Sequence, residues 1–120
     1  MKIRLWAGDV NNLKKDDNEI LASLNQEARE TGVPLTYAHK LFFLRLLNYA
    51  EKLGVLETEG YSVTLSVDDL SLTLEVPRRT TIQSLQKLTM CGALIRSEEK
   101  RTFPRSVAKT ILAKKIYEKE

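Results

Sequence analysis

The stretch SVDDLSLTLEVPRRTTIQSLQKLTMCGALIRSEEKRTFPR, residues 66–105, decides how this 120-residue chain is read. Ser66 stands three residues ahead of Asp69, the spacing of a capping box, and opens a short helix with Val67, Leu70 and Leu74 as its apolar positions. Pro77 suits the first turn of a second helix, where its missing N–H is no loss. That helix is predicted to run to about Cys91, with Gly92 as its stop. Ala93–Ser97 then reads as a strand, Glu98–Lys100 as a turn, and Arg101-Thr102-Phe103 as a returning strand that Pro104 breaks. The unit expected is two helices joined by a tight bend and followed by a hairpin.

At about 100° per residue, the 77–91 helix has two unlike faces. Leu85 and Leu88, with Thr81 and Ser84, point to the core. Arg79, Thr80, Gln83, Gln86, Lys87 and Met90 lie opposite, and Ile82 falls on the boundary. Arginine can bind guanine at two points and glutamine can do the same with adenine; threonine reaches a base or a phosphate. Were this helix to lie in a DNA major groove, its N-terminal half would make the base contacts, which would put Arg78, Arg79, Thr80 and Gln83 first and give Lys87 a phosphate. A solvated helix face would account for any one of these residues singly.

Outward from this segment, Asp16 and Glu19 form a capping-box pair ahead of Ile20, Leu21, Leu24 and Ala28, so a helix is expected over 17–31, stopped by Gly32 and Pro34. Thr36 caps the next helix, whose broad apolar surface from Leu41 to Leu53 suits a central position, and Gly54 ends it. Tyr61–Leu65 has strand chemistry. Residues 2–6 read as a short strand, followed by turns at Gly8-Asp9 and Asn11-Asn12. Ser106 is expected to cap a last helix over 106–120 carrying Val107, Ile111, Leu112 and Ile116.

Residues 65–95 resemble the helix-turn-helix of bacterial winged-helix regulators, similar to the cyclic-AMP-receptor-like and GntR-like families and to phage and plasmid replication modules. The family pattern is a Ser-capped helix with a core Leu, a hydrophobic-Gly-Val-Ser turn, Arg-x-Thr-Val, spaced Leu residues, and Gly-Leu-Ile entering a wing. Two positions depart from it. Glu75 stands where glycine is usual and must accept the bend at a backbone cost, and Pro77 replaces a serine and removes a side-chain cap. The resemblance implies a mainly α fold with a small β-wing: one winged-helix domain with its core at about 36–105, an extension over 1–35 and a C-terminal helix. It further implies double-stranded DNA as partner and places Arg96, Lys100, Arg101 and Arg105 of the hairpin near the DNA backbone or minor groove, with Glu98 and Glu99 tilted away.

Charge follows the same division. Residues 1–76 hold 8 Lys/Arg against 12 Asp/Glu, whereas residues 77–106 hold 7 against 2. Clustered cations suit a phosphate surface, since each neutralised phosphate releases counterions. With 42% hydrophobic and 29% charged residues the chain is an ordinary globular one. No run approaches the ~20 apolar residues of a membrane span, no signal-peptide pattern opens the chain, and a lone Cys91 points to a reducing cytoplasm.

His39 and Cys91 are single, so the usual zinc ligand sets are missing, and no phosphate loop or catalytic triad is legible. No cofactor and no enzyme activity are expected. The two outer helices, surplus to a winged-helix core, predict a homodimer reading half-sites about 34 Å apart. Transcriptional control is the favoured role. A replication-initiation or partition module, and a winged-helix protein–protein interaction module, remain as alternatives.

Overall fold

The computed structural model describes residues 15–99 and 107–118. Local capping sets the helix starts. Asp16 and Glu19 bond each other's backbone N–H reciprocally and open α1, Asp17–Thr31, which ends at Gly32 in the left-handed region. Thr36 opens α2, Tyr37–Leu53, and Ser66 Oγ accepts the Asp69 N–H at 3.1 Å to open α3, Val67–Leu74. Helix α4 spans Arg78–Met90, and α5 is a single turn, Lys114–Tyr117. The strands are β1, Val55–Glu57; β2, Gly60–Leu65; β3, Leu94–Glu99; and β4, Val107–Leu112. They form one antiparallel sheet in the order β1-β2-β4-β3.

Helix α2 is the hub. Phe42, Phe43, Leu46 and Ala50 are almost wholly buried, and its sides meet α1, α3, α4 and the sheet. Leu24, Leu70, Leu88, Leu94, Leu112 and Ile116 complete the core. Burying each such side chain stabilises the fold by about 1.5–3 kcal/mol relative to leaving it exposed.

Three expectations are corrected. The strand that pairs with β3 is 107–112, and it occupies the stretch expected to be helix. Val107, Ile111, Leu112 and Ile116 fit a helical spacing, but the same segment also alternates: Ala108, Thr110 and Leu112 are buried, and Val107, Lys109 and Ile111 are half-buried. Its β-branched residues prefer the strand, and ladders on both sides satisfy its backbone. Glu98 and Glu99 are not a turn but the end of β3, paired with Ala108 and Val107. Strand β1 was not anticipated; it joins β2 through the two-residue loop Thr58-Glu59, which lacks the usual Asn-Gly or Asp-Gly. The expected strand at 2–6, its following turns, and the 101–103 segment itself lie outside the described residues.

The first and last described segments close on each other. The Lys15 N–H donates to the Tyr117 carbonyl at 2.9 Å, Lys15 Nζ to Ser23 Oγ and the Lys115 carbonyl, and Lys115 Nζ pairs with Glu27 at 2.7 Å. Ile20 and Leu24 of α1 are buried, as are Ile116 and Tyr117 of α5. The apolar faces from which a dimer surface was expected are therefore spent within one chain. Across the sheet, Glu57 accepts from Ser62 Oγ at 2.9 Å and from Lys109 Nζ at 2.8 Å, tying β1 to β2 and β4. Those bonds hold the Glu57 carboxyl below its ordinary pKa. Among the described residues, no helix is long and apolar enough to cross a membrane.

Two backbone positions are decisive. Gly60 has φ +142°, and a Cβ there would run into the Leu112 carbonyl oxygen. The adjoining Tyr61 N–H donates to Tyr117 Oη at 3.0 Å, so the backbone has no room to retreat. Gly60→Ala is expected to destabilise the chain by more than about 2 kcal/mol in urea unfolding. Glu75 has φ 57° and ψ 46°, the one positive-φ non-glycine among the described residues. Glu75→Gly should raise stability by about 1 kcal/mol, read as a higher thermal midpoint; an unchanged midpoint would show that the bend carries no strain.

Candidate nucleic-acid interface

The bend between α3 and α4 aims the second helix. Glu75 N–H donates to the Leu72 carbonyl, Val76 N–H to the Ser71 carbonyl at 3.1 Å, and Ser71 Oγ to the Val76 carbonyl at 2.6 Å. From α2, Arg45 Nη1 donates to the Leu74 carbonyl at 3.0 Å and the Glu75 carbonyl at 3.4 Å. A guanidinium thus caps the carbonyl end of α3 at the strained residue, where positive charge meets the negative end of the helix dipole. Arg45 was not singled out in the sequence, because its partners lie 29 and 30 residues away.

Helix α4 presents the two faces expected of it. Thr81, Ser84, Leu85 and Leu88 are buried, and the helix packs against α2. Arg79, Gln83, Gln86 and Met90 are exposed on the opposite face. Thr80 and Lys87 are half-buried on the flank toward α2, where Thr80 lines a hollow of about 250 Å³ with Arg45, Glu75 and Pro77. Ile82 takes the other flank, in an apolar cleft of about 250 Å³ with Val67, Leu85, Thr89, Gln86 and Arg96. Arg96 sits on β3 and donates from Nη1 to Thr110 Oγ1 at 3.0 Å across the β3–β4 pair. The exposed surface beside the cleft therefore combines Arg79, Gln83 and Gln86 with a partly sheltered Arg96.

Arg78 stands apart from this face. Its Nε pairs with Asp68 Oδ1 at 2.6 Å, back toward α3, with both side chains more than half exposed. Its side chain runs along the α3–α4 junction. Lys100, Arg101 and Arg105 lie outside the described residues.

Electrostatics sharpen the picture at the start of α4. Pro77 is the N-cap and offers no side-chain hydrogen bond, and the first turn holds Arg78 and Arg79 with no acidic residue. By contrast, α1 has Asp17 and Glu19 in its first turn, and α3 has Asp68 and Asp69. Cations at a helix N-terminus oppose the dipole by about 0.3–1 kcal/mol each. Between Arg78 and Met90 there are three cations and no carboxylate. No group of three or more metal-ligating side chains gathers among the described residues.

His39 borders the site from behind. It is the third residue of α2, where its Nδ1 accepts the Thr36 N–H at 3.2 Å and its own N–H donates to Thr36 Oγ1 at 3.3 Å. An imidazole accepting at Nδ1 carries its proton on Nε2 and is neutral. Burial, and then the nearby Lys87 ammonium, lower its pKa from the ordinary 6.5. Compared with known proteins, the chain matches no family model, no curated protein and no solved structure.

Because the folded state lowers the His39 pKa, its contribution to stability is complete above pH 6.5 and is lost as pH falls through the lowered value. Thermal unfolding across a pH series should show that loss. His39→Gln keeps an acceptor for the Thr36 N–H and should flatten it; an identical loss in the variant would assign the titration to another group.

Proposed function

We propose that the chain is a winged helix-turn-helix protein that binds double-stranded DNA with sequence preference, most fittingly in transcriptional control. In this reading α2, α3 and α4 are the three helices, α4 enters the major groove, and the β3–β4 hairpin is the wing beside it. The order of elements and the pairing of β2 with β4 and of β4 with β3 support the assignment. The observation that carries it is the start of α4: two arginines at the positive end of a helix, uncapped by a side chain and with no carboxylate in the turn. This arrangement is unfavourable alone and favourable against an anion. A phosphate backbone offers such an anion repeatedly along its length.

The roles follow from position. Arg79, Gln83 and Gln86 face outward at a spacing that suits base edges, arginine toward guanine and glutamine toward adenine. Ile82 supplies an apolar edge for a thymine methyl. Thr80 and Lys87, on the flank, are placed for phosphate oxygens, and Arg96 serves the same strand from the wing.

A salt titration of binding to duplex DNA tests this reading. Log affinity should fall linearly with log salt, by about 0.9 per phosphate contacted. Arg79→Ala should cost ~1–3 kcal/mol on a selected site and relax base choice, while Lys87→Ala should weaken all sequences alike. No binding at low salt, or binding indifferent to salt, would overturn the proposal.

A further inference from the structure

Resting on the DNA reading, we propose that Asp68 is an affinity-setting residue that occupies Arg78 in the free protein and yields it to a DNA phosphate on binding. The two residues belong to different helices, and the pair spans the junction that the bend at Glu75 creates. Arg78 Nε lies 2.6 Å from Asp68 Oδ1, which makes Asp68 the counterion of a guanidinium at the uncapped, positive start of α4. Arg79, next along the chain, faces out beside it. In the free chain the first turn of α4 is thus partly neutralised from outside its own helix.

The pair is suited to exchange rather than to holding the fold together. Its side chains are 64% and 52% exposed, and ion pairs so open to water contribute little to stability. A phosphate oxygen offers the guanidinium a charge-assisted partner of the same kind, and its counterions are released as it is neutralised. The carboxylate left behind then faces a polyanion. Asp68 thereby works against binding in two ways, by competing for Arg78 and by repelling phosphate, and it does so equally on every DNA sequence because neither effect involves a base. It is a brake on non-specific affinity placed next to the residues that read sequence.

The experiment measures binding of a short, labelled, mixed-sequence duplex by fluorescence anisotropy at several salt concentrations. The proteins are the full chain, Asp68→Asn, Arg78→Gln and the double variant, each checked for an unchanged circular dichroism spectrum. Asp68→Asn should tighten binding about three- to fivefold on all sequences. Arg78→Gln should weaken binding and make the salt slope shallower by about 0.9. In the Arg78→Gln background, Asp68→Asn should bring a smaller gain, since only the repulsion remains to be relieved.

Equal gains in the two backgrounds would overturn the competition for Arg78. Unchanged or weaker binding by Asp68→Asn would overturn the proposal while leaving the DNA reading intact. Absence of binding by the unaltered chain would overturn both. Should Asp68→Asn lose its helical spectrum, Asp68→Ser, which keeps a short polar side chain in the first turn of α3, carries the same comparison.

Discussion

The direction of α4 depends on three residues, Glu75, Val76 and Pro77, and on the arginine that reaches them from α2. An eight-residue helix such as α3 cannot orient its successor by length. The chain must turn sharply, and Glu75 does so in a conformation that L-residues avoid. Arg45 bonds the carbonyls of Leu74 and Glu75, and Ser71 binds Val76 through both backbone and hydroxyl. The burial of Thr81, Ser84, Leu85 and Leu88 is possible only with the bend in place, and that burial in turn fixes Arg79, Gln83 and Gln86 outward. The same contact that packs the core aims the exposed face.

The sheet answers a second demand, the closing of the chain on itself. Strand β4 is paired on both edges, to β2 and to β3, and it delivers Ala113 to a hydrogen bond with the Ala93 carbonyl and Tyr117 to the backbone of Tyr61. α1 then lies against α5, and the two share one apolar seam. With that seam closed, a group of exposed apolar side chains remains at Leu53, Val55 and Leu56, around the outer strand β1. It lies at the opposite edge of the sheet from β3, which adjoins α4.

What was legible in the sequence was local. Asp16, Thr36 and Ser66 act on N–H groups three residues away, so their caps could be read from spacing alone, and the helical period separated Leu85 and Leu88 from Arg79 and Gln83 correctly. The departure at Glu75 was legible for the same reason: a bend was required, and no glycine stood there. What was not legible depended on distant partners. The 107–112 segment fits both a helix and a strand, and the choice is made by Leu65 and Leu94, which pair near opposite ends of it. Arg45 and the Asp68–Arg78 pair are ordinary charged residues until the fold brings them to a carbonyl end and to each other. His39 in a capping position has no helical-period signature, since the side chain usually found there is Glu or Gln.

The case for an anionic partner rests on a conflict between local rules. Helices favour carboxylates in their first turn because the exposed N–H groups carry partial positive charge; α1 and α3 have them, whereas α2 and the single turn α5 do not. Helix α4 does the reverse with Arg78 and Arg79, and Pro77 leaves it without a side-chain cap. Two such cations forgo roughly 0.6–2 kcal/mol relative to a favourable arrangement, a sizeable part of the about 5–15 kcal/mol that stabilises a domain. A fold that merely needed a soluble helix would gain by acidic residues there. Asp68 partly neutralises Arg78 in the free chain, and a repeated phosphate backbone would supply negative charge to both arginines at once. Sites where sequence-level rules fail are where function is expected, and at α4 the departure lies beside the face that carries Gln83 and Gln86.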